Sequence, residues 1–159
     1  MPLLRAGIPA VIDACAGDLS LAGPAAAEAG LKVLADQVEG AGLEAGFVIP
    51  PAGYRGPIPG RLRSLAFFDA RDPAPALAAV QRACERDAPP AIGVAAAFAR
   101  AGRDPRLLSF RPLYAYCAEA RLPLVVEAPD ERQLVALGVL ARACPALSLL
   151  CRVEADSPP

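Results

Sequence analysis

Residues 109–130 read SFRPLYAYCAEARLPLVVEAPD, two periodicities set end to end. From Ser109 the apolar side chains Leu113, Cys117 and Ala120 recur at helical spacing, and Pro112 falls where a first turn tolerates proline, so this part predicts a helix. Leu122–Val126 is a short apolar, β-branched run closed by Pro129 and Asp130, and it predicts a strand. A helix leading into a buried strand is part of a βαβ unit, so the fold depends on whether the pattern repeats.

It repeats in both directions. Upstream, strand-like runs lie at Ala10–Ala14, Ala45–Ile49, Leu62–Phe68 and Ala91–Ala96; downstream, one lies at Leu147–Val153. Between them, Pro24 to Gly42 places Leu31, Leu34, Ala35 and Val38 on one face, with Gly40 and Gly42 as stop signals. From Asp72, Leu77, Val80 and Cys84 share a face behind Pro73. Asp130–Cys144 opens with a cap built from Asp130 and Gln133 and is expected to turn Leu134, Leu137 and Ala141 inward. Only the link from Ile49 to Leu62, IPPAGYRGPIPGRL, is loop throughout. The expected order is β-α-β-loop-β-α-β-α-β-α-β, a parallel α/β sheet of about six strands, either part of a (β/α) barrel or doubly wound.

The chain has 159 residues, which is expected to make one domain, 1–159, with a real core. Lys and Arg total 16 against 17 Asp and Glu, a net charge of −1 without a basic block, which argues against nucleic acid and anionic membrane surfaces as partners. No apolar run approaches the ~20 residues of a membrane span. The start, MPLLRAGIPAVIDA, is broken by Arg5, Gly7 and Pro9 and does not read as a signal peptide. Five cysteines without close pairing suit small buried fillers in a reducing cytoplasm. AGLEAG at 41–46 precedes a strand, so it reads as a helix stop, and no GxxxxGK[ST] phosphate loop exists.

The short motifs also follow one another in a family-like order: VIDAC, AGLEAGFVIPP, LRSLAFFDARDPAPAL, AIGVAAAF, DPRLLSFRPLYAYCAEARLPLVVEAPD and CPALSLLCRVEADSPP. Over nearly the whole chain this resembles the amidohydrolase-related TIM-barrel family, which includes metal-dependent decarboxylases and lactonases. The resemblance implies a partial TIM-barrel-like sheet and a site at the strand ends.

At the positions of the family's metal ligands this chain departs from the pattern. Where the family has Asp-Ala-His-x-His, the sequence has Asp13-Ala14-Cys15-Ala16-Gly17. The fifth-strand histidine position holds Glu127; the sixth falls at Val153 or, one residue earlier, Arg152; the fourth strand reaches Ala95; and the last-strand aspartate has no counterpart. The chain contains no histidine at all, the commonest ligand for a catalytic metal. Lys32 is its only lysine, on a helix, and no Ser-His or Cys-His pair can be drawn.

The expectation is therefore a non-catalytic amidohydrolase-like protein with no catalytic residue, metal or cofactor. Its vestigial cleft is marked by Asp13, Cys15, Asp18, Tyr54, Glu127 and Arg152, with Arg55 beside Tyr54. Such a chain binds a small ligand or serves as a structural or regulatory subunit. The alternative is a hydrolase or lyase with a rebuilt Cys15, Asp18 and Glu127 site. A complete barrel takes eight strands and about 250 residues. Six strands leave edges and an inner face to be covered, by a second copy or a partner subunit.

Overall fold

A computed structural model describes residues 12–18, 23–50, 54, 56–87, 90–128 and 130–153; at 12–18, 24 and 153 it describes the backbone alone. The chain divides into two compact units, Met1–Leu65 and Ala66–Pro159.

The first unit holds β1 (Ile12–Asp18), α1 (Pro24–Gly40), β2 (Ala45–Ile49) and β3 (Leu62–Ser64), with the strands parallel in the order β1-β2-β3. Helix α1 starts at Pro24, whose missing N–H is no loss in a first turn, and buries Ala27, Leu31, Ala35 and Val38. Leu31, Ala35 and Val38 share a core with Val48 of β2 and Leu62 of β3. The helix ends where AGLEAG predicts a stop. Gly42 N–H donates to Glu39 O, Leu43 N–H donates to Val38 O, and Gly42 takes φ 68°, the left-handed turn that glycine accepts without a Cβ clash. Strand β1 slips in register against β2 between Asp13 and Gly17, a bulge centred on residues 14–16.

The stretch expected as one strand, Leu62–Phe68, is two. Leu65 N–H donates to Val48 O in the first unit, whereas the next amide, Ala66 N–H, donates to Gly93 O in the second. The run changes hydrogen-bonding partner between those two residues, and β4 (Ala66–Phe68) begins a separate sheet.

That second unit continues with α2 (Pro73–Glu85), β5 (Val94–Ala96), a 3-10 turn at Leu108–Phe110, α3 (Arg111–Glu119), β6 (Leu124–Ala128), α4 (Glu131–Ala143) and β7 (Leu149–Val153). All four strands are parallel in the order β4-β5-β6-β7, each beside its predecessor. Ala66, Phe68, Val94, Ala96, Leu124, Val126 and Ala128 share one core with Val80 of α2, Leu113 and Cys117 of α3, and Leu137 and Leu140 of α4. The three helices therefore pack on the same face of the sheet. A doubly wound sheet reverses direction and carries helices on both faces; within this second unit the strand order does not reverse and α2, α3 and α4 share one face. Neither sheet closes into a barrel among the described residues.

Helix α4 corrects one expectation. Asp130 caps it as predicted, accepting from Gln133 N–H at 2.8 Å, but the buried side chains are Ala136, Leu137 and Leu140, while Leu134 and Ala141 are exposed. Apolar residues occur around most of this helix, so periodicity alone does not choose the packed face; contact with the sheet does. In α3, Leu113 and Cys117 are buried with Tyr114, whereas Ala120 lies exposed beyond the helix end. No helix among the described residues is long and apolar enough to cross a membrane.

Candidate functional site

Side chains alternate across a strand, so the neighbours of the core residues point to the opposite face of the second sheet from α2, α3 and α4. In register, that face carries Phe67, Ala95, Val125 and Leu150, and then Glu127 beside Arg152. Glu127 and Arg152 stand at the carboxyl ends of β6 and β7, where parallel α/β sheets place their ligand sites.

Three charged groups meet there. Arg100 Nη2 donates to Glu127 Oε1 at 2.6 Å, and Arg152 Nη1 lies 3.6 Å from the same oxygen. The first distance is a charge-assisted hydrogen bond; the second is an ion pair without direct hydrogen bonding. The Glu127 side chain is 23% exposed, so the cluster is reachable from solvent.

Arg100 is aimed by the loop after β5. Phe98 is fully buried, with its ring 4.8 Å from Phe110 and 6.5 Å from both Phe68 and Tyr114. From this anchor the chain makes a single helical turn: Ala101 N–H donates to Ala97 O, Gly102 N–H to Ala99 O and Arg103 N–H to Phe98 O. Gly102 at φ 62° closes the turn. Arg100 thus sits two residues beyond an immobilised ring. Just downstream, Asp104 accepts from the Arg106 backbone N–H at 2.8 Å and from its guanidinium at 2.6 to 3.1 Å. The Asp69 and Arg71 pair after β4 repeats this clamp.

Comparison of the chain with protein-family models, with curated proteins and with solved structures returned no match.

Of the six sequence candidates, Glu127 and Arg152 come together, and the register selects Arg152, not Val153, as the residue beside Glu127. Asp13, Cys15 and Asp18 lie on β1, whose side chains are outside those described. Tyr54 belongs to the first unit, where it packs against the core of α1 and β2 and its hydroxyl donates to Pro57 O at 3.4 Å. Arg55 lies outside the described residues. Arg100 joins Glu127 and Arg152 from a loop that local patterning does not single out. Its signal is a charged residue just past a buried strand, but a loop must first fold back before such a residue reaches a neighbouring strand. Among the described residues no three His, Cys, Asp or Glu side chains converge as a metal-holding group.

Cysteines follow the expectation of small fillers only in part. Cys117 is buried and Cys84 and Cys144 half-buried, but Cys151 is exposed on β7; all four are free thiols. Burial pushes the Cys84 thiol up to about 11 and the Cys117 thiol up to about 12, so neither is a nucleophile near neutral pH.

Proposed function

We propose that this chain is a TIM-barrel-like relative of the amidohydrolases that has lost the metal site and binds a small anionic ligand in a reducing cytoplasm. The observation that carries the proposal is the sharing of Glu127 Oε1 by two guanidinium groups at the carboxyl ends of adjacent parallel strands. Arginine forks recognise carboxylates and phosphates geometrically and do not release protons at physiological pH, so the cluster suits recognition better than acid-base chemistry.

The chemistry of the ligand follows from the surroundings. Leu150, two residues before Arg152 on the same face and 42% exposed, offers apolar surface about 7 Å behind the charges, whereas its register partner Val125 is buried. A carboxylate on a compact apolar body matches both parts. The consecutive strand order with helices on a single face supports the barrel-like reading.

The test is calorimetry with benzoate, acetate and inorganic phosphate. Benzoate is expected to bind better than the other two, and Arg152→Ala to weaken it by about 10- to 100-fold, the worth of one charge-assisted hydrogen bond. Absence of binding by all three anions overturns the reading. One equivalent of bound metal that is lost in Glu127→Ala and Cys15→Ala would instead establish the rebuilt-site hydrolase or lyase.

A further inference from the structure

Among the described residues, the outer face of α4 is where large apolar side chains concentrate on a helix surface. Leu134, Val135 and Val139 are 39%, 60% and 44% exposed, although they lie within six residues of one another. At 100° per residue, Glu131, Val135, Gly138 and Arg142 fall within about 60° of arc, with Leu134 on one flank and Val139 on the other. A Cβ placed on Gly138 would meet nothing within 4 Å, so the middle of the stripe is flat and open.

The charges are arranged with a direction. Glu131 lies in the first turn and Arg142 in the last, each also matching the helix dipole. Arg132 lies off this stripe, and its charge helps hold the Asp104 carboxyl ionised. The pairs Glu131 with Arg142 and Val135 with Gly138 share one midpoint, between Ala136 and Leu137. An antiparallel copy of the same helix, related by a two-fold axis at that midpoint, therefore meets it with opposite charges at both ends. Val135 of each copy lies over the gap at Gly138 of the other, and Leu134 and Val139 each face their own counterparts on the flanks.

We infer that α4 is a homodimerisation surface, pairing antiparallel with α4 of a second copy of this chain. Charge complementarity selects the second copy, because one surface supplies both halves of the match, as a two-fold interface requires. A pair of 13-residue helices is a small interface, so the dimer is expected to be reversible and concentration-dependent. The inference does not rest on the ligand reading.

Sedimentation velocity over a concentration series tests it, with circular dichroism confirming that each variant is folded. Glu131→Arg or Arg142→Glu alone is expected to weaken association about tenfold, since each places like charges opposite one another at both ends of the pair. The two substitutions together are expected to restore it, and Val135→Asp to abolish it. A monomer at every concentration, a dimer unmoved by Val135→Asp, or a double reversal that fails to restore pairing would each overturn the proposal.

Discussion

Arg152 is the register partner of Glu127 on the neighbouring strand, with Nη1 3.6 Å from Oε1. The sheet itself imposes this meeting, because in-register residues on adjacent parallel strands share a face about 4.8 Å apart. Glu127→Gln keeps the shape and removes the charge that engages both guanidinium groups. Folding stability is expected to change by less than about 1 kcal/mol, as for other partly exposed ion pairs. Affinity for benzoate is expected to rise about tenfold, because the resident carboxylate no longer competes for the guanidinium donors. Urea denaturation and calorimetry read the two effects separately; a stability loss above about 2 kcal/mol with unchanged affinity would make the cluster a structural brace.

Phe98 connects the core to this cluster. Its ring is fully buried among Phe68, Phe110 and Tyr114, and the turn that carries Arg100 starts beside it. Phe98→Ala is expected to cost about 3–5 kcal/mol in chemical denaturation, the usual range for emptying an aromatic site in a packed core. At temperatures where the variant stays folded, it should also weaken benzoate binding, since the anchor of the Arg100 turn is gone. Retained affinity in the folded variant would show that the turn holds itself.

How far the sequence reveals this arrangement depends on the range of the interactions involved. The alternation of helices and strands is local, so Pro73, Asp130 and Gly42 mark their boundaries where the structure has them. Strand order and the face that carries the helices are long-range, and the alternating pattern is compatible with two topologies. The break at Leu65 is likewise invisible, because Leu62–Phe68 is apolar and β-prone throughout and only the hydrogen-bond partners differ. In the site, Glu127 and Arg152 stand out as charges at the ends of apolar runs. Arg100 does not, because its contact with Glu127 spans 27 residues and a folded turn.

The C-terminus of α3 lacks the glycine that ends α1. Arg121 occupies the same left-handed position at φ 55°, with its N–H donating to Ala118 O and Leu122 N–H to Cys117 O. A non-glycine residue pays a steric cost there that glycine avoids. Arg121→Gly is expected to stabilise the protein by about 0.5–1 kcal/mol, a rise of about 2–3 °C in Tm for a chain of this size. Arg121→Val is expected to lower Tm, since a β-branched side chain fits this conformation worst.

Thiol chemistry offers a check on packing that needs no ligand. Native protein treated with iodoacetamide is expected to be carbamidomethylated at Cys151 well before Cys84, and not at Cys117 until it unfolds. Cys151 is exposed, whereas Cys117 is fully buried and its thiol is pushed up to about 12. Peptide mass spectrometry over a time course gives the order directly. Labelling of Cys117 at the rate of Cys151 under native conditions would mean that α3 does not stay packed on the sheet.

The Asp104 clamp gives the acid limb of stability a specific source. Hydrogen bonds from the Arg106 guanidinium and backbone N–H bring the Asp104 carboxyl down to about 2 from 3.8. A carboxylate whose folded pKa is depressed binds fewer protons folded than unfolded, so its contribution is complete above about pH 4 and fades as pH falls toward 2. Asp104→Asn keeps an acceptor for the Arg106 N–H and removes only the charge. The stability gap between the protein and this variant is expected to be constant from pH 7 to about pH 5, narrow below about pH 4 and close near pH 2. It should be small throughout, because both side chains face solvent, and smaller still in high salt. Equilibrium denaturation at stepped pH measures it, and a gap that persists at pH 2 would mean that geometry, not charge, makes the clamp.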